Sequence, residues 1–354
     1  MLRYGSAINC KYIDGNIIDF NNITTTSELE KYIDELDDPL TSCRYDAENS
    51  PTDETIMYHA SIDDISIYDA TLRTFPSNLF QKFPTMREFH IKVDVGLEEI
   101  APKDFEWAGK LTKLHLMKNK LAKIDNQVLL NCKDLINLDL SENQLEELFV
   151  PKTVKNAKAD KNKIAKLTFE ENSQLEWLSL TGNELKNDAA LELNSLTNLK
   201  VLNLSCNSLS SLNFNSFAYL DLLEVLSLSY NKISSISFGA FGHQSLLKTL
   251  DLSYNYINTV DFRVFTALSS LEVLDISFNH FSYMDRNLRK FLPSLYRIAL
   301  EGNRYECTFL ADMKITLENQ GITVALPKVP VRNATNICGI QCFMSDILDL
   351  TAFL

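Results

Sequence analysis

The chain has 354 residues, 45% of them apolar and 23% charged, with a formal net charge of −13 at neutral pH. A balance this acidic excludes the clustered Lys and Arg of a nucleic-acid surface, and no run of about 18 apolar residues is present to cross a bilayer. The first ten residues, MLRYGSAINC, lack the apolar core of a secretory signal, so an extracellular protein is expected to be represented here in processed form.

Residues 1–60 do not repeat and are expected to form an N-terminal cap. The segment CKYIDGNIIDFN, from Cys10 to Asn21, alternates around Asp14-Gly15 and predicts a hairpin. TTTSELEKYIDEL, from Thr24 to Leu36, predicts a short helix with a hydroxyl cap ahead of acidic first-turn residues. Cys43 follows, and a Cys10–Cys43 bridge would close the open end of the core, contributing roughly 3–4 kcal/mol in the chain-entropy model.

From residue 61 to 304 the chain repeats, in about 11 coils. The clearest copies are LKVLNLSCNSLSSLNFNSFAYLDL and LEVLSLSYNKISSISFGAFGHQSL, in which Leu202, Leu204, Asn207 and Phe217 return 24 residues later as Leu226, Leu228, Asn231 and Phe241. In the short strand of each coil, alternation sends both leucines inward and leaves residues such as Val201, Asn203 and Ser205 on the open face. Stacked coils bury leucine on leucine, each worth roughly 1.5–3 kcal/mol. Where the chain turns off the strand, an inward asparagine has the donors and acceptors to meet backbone groups left unpaired. Asn207, Asn231, Asn255, Asn279 and Asn303 are therefore expected to form a structural ladder. Earlier coils are degenerate, with Ala70 and Asp94 in the asparagine place. Two are short, at 19 residues to Asn162 and 21 to Asn183, with Ala157 and Ala159 standing for leucines. Phe80, Phe105, Phe217, Phe241 and Phe265 predict a packed aromatic spine on the return side. The short coils lack that segment, and a bend or twist is expected near residues 143 to 183.

After Asn303 the sequence changes character. Tyr305-Glu306-Cys307, a helical stretch from Thr308 to Gln320, and Cys338 suggest a C-terminal disulfide cap over 305–342 with Cys307 bonded to Cys338. Cys342 then remains, and an odd cysteine in a secreted chain suggests an inter-chain bridge and a disulfide-linked dimer. Residues 343–354, FMSDILDLTAFL, carry Phe343, Ile347, Leu350 and Phe353 or Leu354 at helical spacings. They are either a helix closing the cap or a partner-binding helix. The remaining cysteines, Cys132 and Cys206, are expected to be free thiols acting as small core residues. End-clustered cysteines and the sequons at Asn22, Asn203 and Asn333 point to an oxidising, extracellular compartment.

No catalytic constellation is present: the sequence has no G-x-S-x-G, G-K-[ST] loop, H-E-x-x-H or C-x-x-C. His90 and His115 fall on neighbouring strands, but neither has an evident carboxylate companion at ligand spacing along the chain, so no metal or cofactor is expected. Function is expected on surfaces. Early coils offer His90, Lys92, Lys113, His115, Lys118, Lys158 and Lys161 as a basic strip that could hold an acidic partner. Later coils offer Ser205, Ser229, Ser253, Ser277, Asp251 and Asp275, and then Tyr230, Tyr254 and Phe278 as aromatic interface anchors or as packing at the strand edge.

The coil motif L-x-x-L-x-L-x-x-N-x-L resembles the leucine-rich repeat. That resemblance implies an α/β solenoid, a curved horseshoe with a parallel β-sheet on its concave face and a cap at each end. The two shortened coils (FVPKTVKNAKADKN), the segment EGNRYEC and the close pair Cys338 and Cys342 resemble the insect leucine-rich immune proteins, especially those of mosquitoes. This implies a secreted, non-enzymatic scaffold of innate immunity with an extracellular protein partner, a thioester-containing complement-like protein. It also implies an inter-chain disulfide, here at Cys342, and continuation into a coiled coil. The alternative is the ectodomain of a cell-surface adhesion or receptor protein; a coiled coil after Leu354 would favour the first and a membrane span the second.

Overall fold

The computed structural model describes residues 9–13, 17–21, 25, 27, 29–30, 63–67, 72–91, 96–187, 192–325, 336–337 and 340–342. These divide into two compact units, Met1–Leu175 and Glu176–Leu354.

In the first unit, β1 (Asn9–Ile13) and β2 (Ile17–Asn21) form an antiparallel hairpin, and β2 then pairs in parallel with β3 (Asp64–Ile67). Parallel pairing continues through β4 (Glu88–Ile91), β5 (Lys113–His115) and β6 (Asn137–Asp139). β7 (Glu147–Val150) follows on the return side, and β8 (Asn156–Lys158) pairs with β6. The register is regular: Ile65 lies against Phe89, Phe89 against Leu114, Leu114 against Leu138 and Leu138 against Ala157, all five buried. The N-terminal segment docks through Glu30, which accepts from Ser77 N at 2.9 Å and Ser77 Oγ at 3.0 Å, beside a fully buried Leu29.

Return segments differ with coil length. Full-length coils turn back through α1 (Leu79–Lys82), a 3-10 turn at Pro102–Phe105 or α2 (Asn126–Asn131), the last capped by Asp125, which accepts from Gln127 N at 2.9 Å. The aromatic spine is present here: Phe80 and Phe105 are buried with ring centroids 4.9 Å apart. The short coils instead return in extended chain, and β7 pairs in parallel with β9 (Lys166–Phe169) in a separate two-stranded sheet. Extended chain covers about 3.3 Å per residue against 1.5–2.0 Å in helical turns, so fewer residues span the same coil. Ala157 and Ala159 are each 1% exposed and fill leucine positions.

The second unit repeats the pattern with less variation. β10 (Trp177–Ser179) and β11 (Val201–Asn203) pair in parallel, and after β12 (Ser211–Leu212) the main sheet continues with β13 (Val225–Ser227). β14 (Ser235–Ile236) pairs with β12, while β15 (Thr249–Asp251), β16 (Val273–Asp275) and β17 (Arg297–Ala299) extend the main sheet. Leu202, Leu226, Leu250, Leu274 and Ile298 sit in register and are fully buried. Phe217, Phe241 and Phe265 are buried behind them, with centroids 6.1 and 5.8 Å apart.

Closing this unit is α3 (Cys307–Asn319), whose N-cap Glu306 accepts from Phe309 N at 3.0 Å, over a fully buried Tyr305. β18 (Thr323–Val324) adds to β17, and β19 (Asn336–Ile337) pairs antiparallel with β20 (Ile340–Gln341). Directly after β20, Cys342 is bonded to Cys307, with Cα atoms 5.0 Å apart. This corrects two expectations. Cys307 pairs with Cys342, not Cys338: β20 runs antiparallel beside β19, and the residue directly after it, Cys342, 3% exposed, meets the first residue of α3. With its sulfur bonded within the chain, Cys342 is not an inter-chain bridge. Cys338, Cys43, the side chain of Cys10, the sequon residues Asn22 and Asn333 and the tail 343–354 lie outside the described residues.

Candidate recognition surfaces

The asparagine ladder binds each coil to its predecessor. In the coil of Asn231, Oδ1 accepts from Leu209 N at 3.0 Å, and Nδ2 donates to Leu204 O at 2.9 Å and Leu228 O at 3.1 Å. The same three bonds recur at Asn207, Asn255, Asn279 and Asn303, all at most 7% exposed. The asparagines thus serve structure, and their amides are not available to a ligand.

The residue before each ladder asparagine has a second role. Lys118, Glu142, Lys161, Cys206, Tyr230, Tyr254 and Phe278 have φ between 49° and 57°, and Gly182 and Gly302 take the same place at 71° and 68°. This left-handed residue turns the chain off the strand and throws its own side chain outward. Its side chain is consequently solvent-facing, which corrects the expectation for Cys206: that thiol is exposed. Cys132, by contrast, is buried, and burial pushes its thiol up to about 12.

In the second unit three consecutive members of this column are aromatic. Tyr230 and Tyr254 stack at 4.0 Å between centroids and Tyr254 and Phe278 at 4.2 Å, each pair within 9° of parallel. Gly302 closes the row, since a Cβ there would stand 2.3 Å from Phe278 Cδ1. The rings remain 51%, 37% and 36% exposed, so they stack upon one another while keeping a common edge to solvent. Burial, then the Tyr230 hydroxyl, pushes the Tyr254 phenol up to about 12. Beside them the serines at 205, 229, 253 and 277 are buried, not displayed: Ser205 Oγ lies 2.8 Å from Ser227 Oγ, and Ser253 Oγ donates to Asp251 at 2.7 Å. Asn203 stands half-buried on the open sheet face, its Oδ1 accepting from Ser205 N at 3.0 Å.

The basic residues of the first unit do not make an unopposed strip. Lys113 Nζ lies 2.7 Å from Glu88 Oε1, Lys161 Nζ 3.3 Å from Glu142 Oε1 and Lys158 Nζ 3.7 Å from Asp160 Oδ2. Lys118 is exposed on the left-handed column, and Lys92 is outside the described residues. The acidic partners come from neighbouring coils or from the next turn of the same coil, so the strip is a mixed-charge surface. His90 and His115 do meet, with Nδ1 atoms 3.1 Å apart and rings edge-to-face. Burial, then the charge of His90, holds the His115 imidazole below its ordinary pKa, which favours the neutral ring. Two carboxylates stand beside His90: Glu88, two residues earlier on the same face of its own strand, and Asp64 from the preceding strand, which chain spacing hides. Burial raises the Glu88 pKa, but Lys113 and His90 together outweigh it and hold the group below the usual carboxylate range.

Family models for the leucine rich repeat match residues 173–233, 197–257, 222–281 and 245–304, and one for the BspA type leucine rich repeat region, in 6 copies, matches 52–176. Among solved structures, the leucine-rich repeat domain of APL1B is 22% identical with a TM-score of 0.59, covering 81% of this chain and 88% of that one. The octameric complex of Latrophilin 3, Unc5D and FLRT2 gives 22% and 0.63, covering 84% and 86%. The Toll–Spatzle complex of Drosophila gives 20% and 0.62 over 75% of this chain, which spans 38% of the Toll-complex chain it matches. Such identities establish a shared fold. No curated protein matches the sequence.

Proposed function

We propose, from the premise that this chain belongs to the leucine-rich-repeat family, that it is a secreted recognition scaffold of innate immunity that grips another extracellular protein through its repeat surface. The observation that carries the reading is the stacked row Tyr230, Tyr254 and Phe278. Three rigid rings with little rotamer entropy to lose present one amphipathic edge, the kind of anchor that dominates protein interfaces. What supports an extracellular site is the Cys307–Cys342 bond, a covalent cap that persists in oxidising compartments. The partner class we propose is a thioester-containing, complement-like protein.

The test is binding of the purified full chain to such a protein from insect haemolymph by surface plasmon resonance, against Tyr230→Ala and Tyr254→Ala. Loss of an interfacial tyrosine of about 2 kcal/mol weakens affinity roughly 30-fold. Affinity unchanged in both variants would remove the aromatic row from the interface.

A further inference from the structure

On the open face of the first unit, β3 and β4 bring together Asp64 and Ser66 from one strand with Glu88 and His90 from the next, Asp64 opposite Glu88 and Ser66 opposite His90. His90 Nε2 lies 3.6 Å from Asp64 Oδ1 and 3.5 Å from Glu88 Oε2, and one donor atom from each of the three residues falls within 4.8 Å of the others. Both separations exceed the roughly 2.7–3.2 Å at which an N–H···O bond closes. Neighbouring bonds in the same cluster do close, at 2.7 Å between Lys113 and Glu88 and 3.1 Å between His90 and His115. A spacing of about 3.3–3.6 Å is the edge of a tetrahedron whose centre is about 2.0–2.2 Å from each corner, the bond lengths of zinc to nitrogen and oxygen.

Ser66 is the independent sign. It is fully buried, and its Oγ has no hydrogen-bond partner. Ile65 and Ile67 on either side are buried in the core, so alternation puts the Ser66 hydroxyl on the face of Asp64 and His90. A buried hydroxyl is ordinarily paired, and a cation-bound water is a partner that this cluster can hold.

We propose that Asp64, Glu88 and His90 bind one divalent cation of the zinc type, through one oxygen of each carboxylate and Nε2 of His90, with Ser66 Oγ accepting from the water at the fourth position. His115 is a positioning residue: with Nε2 of His90 on the metal, its Nδ1–H donates to His115 Nδ1, which fixes both tautomer and ring plane. The side chains of His90, Asp64 and Glu88 are 15%, 22% and 31% exposed, so an ion has a path from solvent. Lys113 holds the other oxygen of Glu88 and competes with the cation for that carboxylate.

The test is calorimetric titration of the chelator-treated full chain with zinc chloride, alongside cobalt(II) chloride followed by visible absorption. One zinc per chain is expected, with the strong cobalt absorption of a four-coordinate site. Binding falls at least about 100-fold in His90→Ala and about 10–100-fold in His115→Phe, and tightens in Lys113→Met. Asp64→Asn, nearly isosteric, decides the matter should His90→Ala fail to fold. Zinc affinity equal in the wild type and Asp64→Asn, or a cobalt spectrum of six-coordinate type, overturns the proposal; calcium displacing zinc at equal concentration overturns its metal class.

Discussion

Replacement of Asn231 by alanine isolates what the ladder contributes. The side chain is 5% exposed and serves the backbone of three different segments: Leu209 N, Leu204 O, and Leu228 O with Ser229 O. Alanine leaves the Leu209 N–H without its partner in a buried place, at about 1–3 kcal/mol. The carbonyls each retain a second lone pair, so their loss is smaller, and the whole falls at about 2–5 kcal/mol. Because repeat arrays sum their stability over neighbours, the effect should concentrate in the coils of Leu209 and Asn231. The assay is urea unfolding with amide hydrogen exchange. A lower midpoint is expected, with the Leu209 amide among the first to lose protection, while Cys206→Ser, at an exposed thiol, leaves both unchanged. An Asn231→Ala protein with unaltered midpoint and a still-protected Leu209 amide would refute the reasoning.

Two further outcomes follow from the described geometry. Peptide mapping should recover Cys307 linked to Cys342, and Cys342→Ser should lower stability by about 4 kcal/mol, the chain-entropy value for a separation of 35 residues; an unchanged midpoint would mean that the bond does not constrain the unfolded chain. Burial lifts the Asp275 pKa, against the pull of its bonds from Ser277, so its charge opposes folding above the raised pKa and ceases to do so as pH falls toward the ordinary value of 3.8. Asp275→Asn keeps an acceptor for Ser277 N, as Asn203 does for Ser205 N. Made in a host that does not glycosylate, it should be more stable at pH 7 by up to about 1 kcal/mol and no more stable near pH 3.5, as read by thermal unfolding.

The coil period, the inward leucines and the asparagine ladder were legible in the letters because each is a local rule repeated many times: Leu202 and Leu226 do the same thing 24 residues apart. The Phe217, Phe241 and Phe265 spine was legible for the same reason. The cysteine bond was not, since the choice between Cys338 and Cys342 depends on a two-strand turn with no periodic copy to check against. The cluster at His90 was missed because one of its carboxylates, Asp64, comes from another coil, 26 residues back and diagonal to His90 on the adjacent strand, while Glu88, two residues before His90 on its own strand, was passed over. Comparing each coil with the column position of its predecessor would have found it. Nor did charge counting reveal that Lys113 and Lys161 face Glu88 and Glu142, for pairing is a property of register.

The left-handed position ahead of each asparagine has a consequence for how such an array can change. Leucines are tied to neighbours above and below, and the asparagines to three backbone segments, so exchange at either is confined to a few apolar or small residues, as at Ala157 and Ile298. Lys, Glu, Gly, Cys, Tyr and Phe all occupy the left-handed place, because its backbone twist is the same whichever residue supplies it. One letter per coil can therefore be rewritten while the stack holds still, and a family built this way can acquire new binding partners along that single seam.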